Sequence, residues 1–327
     1  MSPERAVLAS PLHGSYRLAG ELIALLYIAI IAEIASATGV FYVLFPELGA
    51  LSHDVLTRPR GRWGNAPLLV AITPVLTAVV GILVTRSLPY GYLSVLLTVG
   101  GAIAVILALR SPVAPAISAG LLPLVLGVKS WWYPPAIALG TVLLAMLSVA
   151  WRKYCLTRAA TVPAQSPAQR EDRHDDPVEA TSRSYSWLLV LMAFVAVAVF
   201  FVKLTGLRFL LFPPLVVIGF EMLGHTATCP WVGKPLRLPL ACFLTAFGGF
   251  LLWKFLGVTP ITAACSMAWG IAVLRACDLH VPPALAVALL PLVMDKPTLA
   301  YPFAVGIGTT LLSMWFLAYQ RILRGAQ

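Results

Sequence analysis

Charge is what this sequence has least of. Of 327 residues, 11% are charged and 60% are hydrophobic, and the mean hydropathy is +0.89. Soluble domains carry about 25% charged residues, because a folded surface must be wetted. Too few charges are present to cover a globule of this size, which excludes an ordinary soluble domain. Paired cysteines are missing as well. Cys155, Cys229, Cys242, Cys265 and Cys277 show no C-x-x-C spacing, so neither a disulfide framework nor a zinc site is expected. Glu221, His225 and Cys229 have helical spacing, but Pro230 follows and the first half carries no copy, so no metal is assigned. There is no nucleophile elbow, phosphate-binding glycine loop, dinucleotide fingerprint or zincin motif, which leaves enzymatic chemistry and cofactors without support. The opening MSPERAVLASPLHGSYRL has no apolar core followed by a small-residue cleavage site and reads as a short cytoplasmic tail.

What is abundant is apolar sequence in long blocks: Leu68–Val84, Leu93–Leu109, Pro134–Ala150, Trp187–Val202 and Leu238–Leu256. About 20 apolar residues span a hydrocarbon core of roughly 30 Å as a helix. With no water to satisfy the backbone there, such segments must be helical. The class expected is an all-α polytopic membrane protein. Its formal charge of +10 then fits positive-inside topology and contact with anionic lipid, with no need for nucleic acid.

One polar stretch interrupts the pattern. Residues 152–184 mix Pro, Ser, Ala and both charge signs without a period and read as a solvated cytoplasmic linker. The linker separates a first membrane repeat, residues 1–151, from a second, residues 185–327. PAISAGLLPLV at Pro115–Val125 returns as PALAVALLPLV at Pro283–Val293, 168 positions later. At the same offset Leu76-Thr77-Ala78 aligns with Leu244-Thr245-Ala246, Pro67-Leu68 with Pro235-Leu236, and Tyr133-Pro134 with Tyr301-Pro302. One residue out of step, Phe45-Pro46 aligns with Phe212-Pro213, which sets Asp54 against Glu221. The order of matches predicts a tandem duplication. Each half has about six apolar segments, so an even number of crossings gives two parallel homologous repeats about a pseudo-two-fold axis along the membrane normal. Basic residues gather at one side in the six-crossing arrangement, which predicts a multi-pass protein of the cell membrane with cytoplasmic N-terminus, linker and C-terminus.

Two segments per half are short and opened by proline, at Pro46, Pro115, Pro213-Pro214 and Pro283. Proline suits the first helical turn and breaks whatever helix precedes it. These segments are expected to cross or re-enter the membrane as half-helices whose N-terminal amides face a cavity between the repeats. Pro46, Glu47, Pro115, Ala116, Pro213, Pro214, Pro283 and Ala284 are the candidate substrate-binding residues. Ionisable residues in apolar sequence mark function by default, so Glu33, Asp54, Glu221, Asp278 and His280 are candidates for proton coupling. Arg275, Asp278 and His280 are expected to cluster before Pro282-Pro283, and Trp131, Trp132, Tyr133 and Tyr301 to form interfacial belts.

The block from His280-Val281-Pro282-Pro283-Ala284 to Pro291, preceded by LTAFGGFLLWKFLG, resembles the HPP family of integral membrane proteins, named for a His-Pro-Pro motif. Here Val281 stands at the motif histidine, His280 lies one position early, and the first half has Ala114-Pro115-Ala116 instead. Members of that family have been implicated in nitrite transport. The resemblance therefore implies a transporter or channel for a small anion, built as a fused form of a unit that others carry once, with a homo-oligomer left open. The alternative expectation is a membrane scaffold or sensor that acts through a partner.

Overall fold

A computed structural model describes residues 11–160, 186–226 and 229–325. It is all-helical among these residues, and seven helices are long and apolar enough to cross a membrane. The chain is consistent with a polytopic membrane protein.

Twelve α-helices are described. Before the polar segment come α1 (Pro11–Thr38), α2 (Glu47–Thr57), α3 (Pro67–Ser87), α4 (Tyr92–Leu109), α5 (Ala116–Leu126) and α6 (Tyr133–Ala160). After it come α7 (Ser186–Thr205), α8 (Pro213–Gly224), α9 (Arg237–Leu256), α10 (Pro260–Ala276), α11 (Pro283–Leu289) and α12 (Ala300–Gly325). Two boundaries differ from the sequence reading. Helix α1 already starts at Pro11, inside the expected tail, and α6 runs through Ala160, past the expected repeat boundary at 151. Apolar periodicity sees neither extension, because both are more polar ends that continue an apolar helix. The rest of the linker, residues 161–184, lies outside the described residues.

The short helices owe their starts to the local chain. Gly39 and Gly206 end α1 and α7 with φ of 68° and 73°, a left-handed conformation that costs glycine little. Each is followed by a 3-10 turn, Phe41–Val43 and Arg208–Leu211, and then by a proline that admits a new helix but cannot continue the old one. Arg110 and Asp278 end α4 and α10 at φ of 49° and 51°, and prolines again precede the next helix. Non-glycine residues at positive φ cost roughly 1–2 kcal/mol, so tertiary packing must hold them there.

Packing follows the same order in both parts of the chain. Within a part, α3 lies on α5 and α6, as α9 lies on α11 and α12. Between parts, α1 meets α10 and α4 meets α7, while α2 meets α11 and α5 meets α8. The short helices thus form the inner layer and the long ones the wall. Close approach is made by glycine. A Cβ on Gly81 would strike the Gly120 carbonyl of α5, and one on Gly249 the Ala288 carbonyl of α11. Leu18, Leu22, Leu26, Leu189, Phe255 and Met314 face outward, as a lipid-facing wall requires.

Two buried tyrosines pin the inner layer to the wall. Tyr133 Oη donates to the Ala119 carbonyl at 2.9 Å, and Tyr301 Oη donates to the Val287 carbonyl at 2.5 Å. Both are fully or almost fully buried, at 0% and 2% exposure, which corrects their expected place in an interfacial belt. Trp131 and Trp132 are exposed, as a belt requires. Tyr301→Phe is expected to lower stability by about 1–2 kcal/mol, because it strands a buried carbonyl oxygen. Thermal unfolding in detergent reads this, and Tyr133→Phe should add to it nearly independently.

Candidate functional site

All eight residues proposed at helix starts are buried. Pro46 and Pro115 are N-caps of α2 and α5, Pro213 and Pro214 open α8, and Pro283 and Ala284 open α11. Their helices touch in a chain, α2 to α11, α11 to α8 and α8 to α5. The four N-termini do not gather at one point. Helices α2 and α11 run antiparallel: Gly49 near the start of α2 faces Leu289 at the end of α11, and Asp54 near the end of α2 faces His280 just before α11. The starts of those two helices therefore lie at opposite ends of their contact.

One helix start holds an ionisable group. Glu47, the first residue of α2, is 0% exposed, and neither carboxylate oxygen has a hydrogen-bond partner. The Ser118 hydroxyl, in the first turn of α5, lies in interaction range of this carboxyl, yet no hydrogen bond of good geometry joins them and the hydroxyl is itself buried. The phenols of Tyr133 and Tyr301 lie within electrostatic range of the carboxyl. Burial of an unpaired carboxylate charge is costly, and buried polar groups are almost always paired. Two orphan groups near the starts of α2 and α5 make this the least satisfied polar spot of the inner layer. Pro214 and Ala286 stand at the matching positions of the second part, so the pair occurs once.

A second group of charges collects at one end of the bundle. On α1, Glu21 is 5% exposed and accepts hydrogen bonds from Arg275 of α10. Arg17 lies 3.5 Å and His53 Nε2 3.9 Å from the same carboxylate. Asp54, 2% exposed, pairs with Arg58, while His280 Nε2 lies 3.9 Å away. Burial first, and the Arg58 guanidinium second, push the His280 imidazole down to about 4. Exposed Asp278 turns outward to Lys234, which holds its carboxyl below the ordinary aspartate value.

The expected Arg275–Asp278–His280 cluster is therefore dispersed: Asp278 bonds Lys234, Arg275 bonds Glu21, and His280 faces Asp54. The left-handed turn at Asp278 separates Arg275, still on α10, from His280 beyond it. Of the proton-coupling candidates, Asp54 and His280 are brought together across the two parts of the chain. Glu221 pairs with His225 at 3.0 Å on α8, and Glu33 is exposed on α1, away from both groups. Sequence reasoning overlooked Ser118, His53 and the role of Glu21. A serine in an apolar run or a glutamate near a helix start carries no long-range signal, and only the approach of Ser118 to Glu47 and the packing of α1 on α10 reveal them. Among the described residues, no three His, Cys, Asp or Glu side chains group as metal ligands would. The opposite end carries cations over aromatic rings, Arg86 on Trp131, Lys203 on Tyr92 and Arg208 on Tyr90. No protein family, no curated protein and no solved structure matches the chain.

Proposed function

We propose that the chain is a multi-pass membrane transporter of a small anion, built from two parallel repeats about an axis along the membrane normal. Several pairs of features related by 167 or 168 positions support the repeat: Gly39 and Gly206, Arg110 and Asp278, Gly81 and Gly249, and the Tyr133 and Tyr301 hydrogen bonds. The reciprocal packing of α1 on α10 and α4 on α7 supports the axis. In this reading the charged end, the N-terminus, the linker and the C-terminus face the cytoplasm of the cell membrane, following the side on which basic residues gather.

The observation that carries the transport reading is the unpartnered Glu47 carboxyl beside the unpartnered Ser118 hydroxyl. As a neutral acid, Glu47 has an O–H to give, and Ser118 has another. An anion seated between the first turns of α2 and α5 would accept both and gain from the positive ends of the two helices. Once Glu47 loses its proton, the same carboxylate repels the anion. Anion and proton therefore move together, and Glu47 serves as the proton carrier at the substrate site. Pro46, Pro115 and Ala116 shape the two helix starts. Pro213, Pro214, Pro283 and Ala284 close the inner layer on the other side.

The test is uptake of nitrite, the anion implied by the His-Pro-Pro resemblance, into proteoliposomes of the purified full chain. Uptake faster than in protein-free vesicles, and faster again with an acidic exterior, is expected. Uptake equal to that of protein-free vesicles for nitrite, nitrate and formate alike would remove the proposal.

A further inference from the structure

The two seams that join the first and second parts of the chain are built from different chemistry. Where α1 meets α10, the bridge from Arg275 to Glu21 crosses between the parts, with Arg17 and His53 around the same carboxylate. Next to it, α2 and the turn before α11 bring Asp54 with its Arg58 against His280. Where α4 meets α7, the matching positions are Leu107, in place of Arg275, and Leu188 or Leu189, in place of Glu21. That contact is apolar apart from Lys203 over the Tyr92 ring at its far end, and a Cβ on Gly100 would lie 3.7 Å from the Met192 methyl.

We propose that the α1–α10 seam is a latch between the two parts of the chain, closed here by the Glu21–Arg275 bridge and released when the pH at that end falls, while the apolar α4–α7 seam serves as the hinge. The geometry supplies the release. An imidazolium has two N–H groups to place, and His53 Nδ1 and His280 Nε2 are both buried without a partner. The acceptors within range are already engaged, Glu21 by Arg275 and Arg17, and Asp54 by Arg58. The other charges facing the seam are Asp278, Lys234 and Arg237, with Asp278 taken by the two bases. Arg60 and Arg62 follow α2 in the adjoining loop. A proton on the His280 ring therefore joins a group in which cations already outnumber acids. With the seam open, the buried Nε2 of His280 meets water.

The sign for His280 is definite. Its ordinary value is 6.5, and the closed seam holds it at about 4. The closed form prefers the neutral ring, so its support from His280 is complete above the ordinary value. That support is lost as pH falls through the interval between the two values. Release bares Glu21 and Asp54 to water at the end from which α2 leads directly to Glu47.

The test is a pair of distances in the full-length protein in nanodiscs, with spin labels attached through unnatural amino acids so that all five cysteines stay. One pair, at the exposed positions Leu18 and Ala276, reads the latch; the other, at Ala108 and Leu189, reads the hinge. Between a pH of about 7.5 and about 5, the first distance is expected to lengthen by about 5 Å, the scale of an interface shift of one helical turn. The second should stay fixed. Arg275→Gln should lengthen the first distance already at the higher pH. His53→Gln/His280→Gln should hold it short at the lower one. A first distance that ignores pH, equal changes at both seams, or an undiminished response in the double histidine variant would each overturn the latch. The experiment reads distance and not flux, so it stands or falls separately from the uptake test.

Discussion

Glu47→Gln protein is expected to fold, to bind its anion weakly and to lose its response to a proton gradient. Gln keeps the size of Glu and retains N–H donors, so the packing of α2 is preserved, but no proton can leave. If a proton and an anion share the site, their coupling free energy of 1–3 kcal/mol corresponds to a factor of about 5–150. The acceleration of uptake by an acidic exterior should therefore vanish, and net flux should drop by about tenfold or more within that range. Ser118→Ala removes only one neutral donor and should weaken apparent affinity by roughly fivefold while leaving the proton response in place. The contrast between the two variants separates a proton carrier from a residue that merely shapes the pocket. Equal loss of both affinity and gradient response in the two would assign Glu47 a packing role.

A second large effect is expected where the inner layer touches the wall. Gly249→Val would force a side chain into the Ala288 carbonyl and Cα, and Gly81→Val would do the same against Gly120. Backbone carbonyls in a packed helix pair cannot yield as a flexible side-chain tip can. Each change should cost about 3 kcal/mol or more, seen as loss of monodisperse protein after extraction. Gly100→Ala is the control, since its Cβ would meet only the mobile end of Met192 at 3.7 Å. That variant should extract and unfold like the parent. If both valine variants behave normally, the α3–α5 and α9–α11 contacts are looser than described.

Much of this architecture was legible in the sequence because membrane helices write themselves in composition. Apolar blocks and proline breaks placed all twelve helices in order, and Pro46, Pro115, Pro213 and Pro283 fell at the starts of α2, α5, α8 and α11 as expected. What stayed hidden depended on direction. Proline marks where a helix begins but not which way its axis points, so the expected convergence of four N-termini gave way to the antiparallel pairing of α2 with α11. The belt expected for Tyr133 and Tyr301 failed for a related reason. Both follow a short loop beside surface residues, yet both rings turn inward to carbonyls of the preceding short helix. Glu47 itself was visible as an acid after a proline, while its isolation was not, because no local pattern reports the absence of a partner. Glu21 was invisible as a bridge because Arg275 lies 254 positions away.

Infrared difference spectroscopy on the reconstituted protein tests the central claim most directly. At neutral pH, an absorption from the C=O stretch of a protonated carboxylic acid is expected, absent from Glu47→Gln, and it should shift when nitrite is added. A carboxylic-acid band that is missing, that survives in Glu47→Gln, or that ignores every added anion would contradict the assignment of Glu47 as the neutral acid at which proton and anion meet.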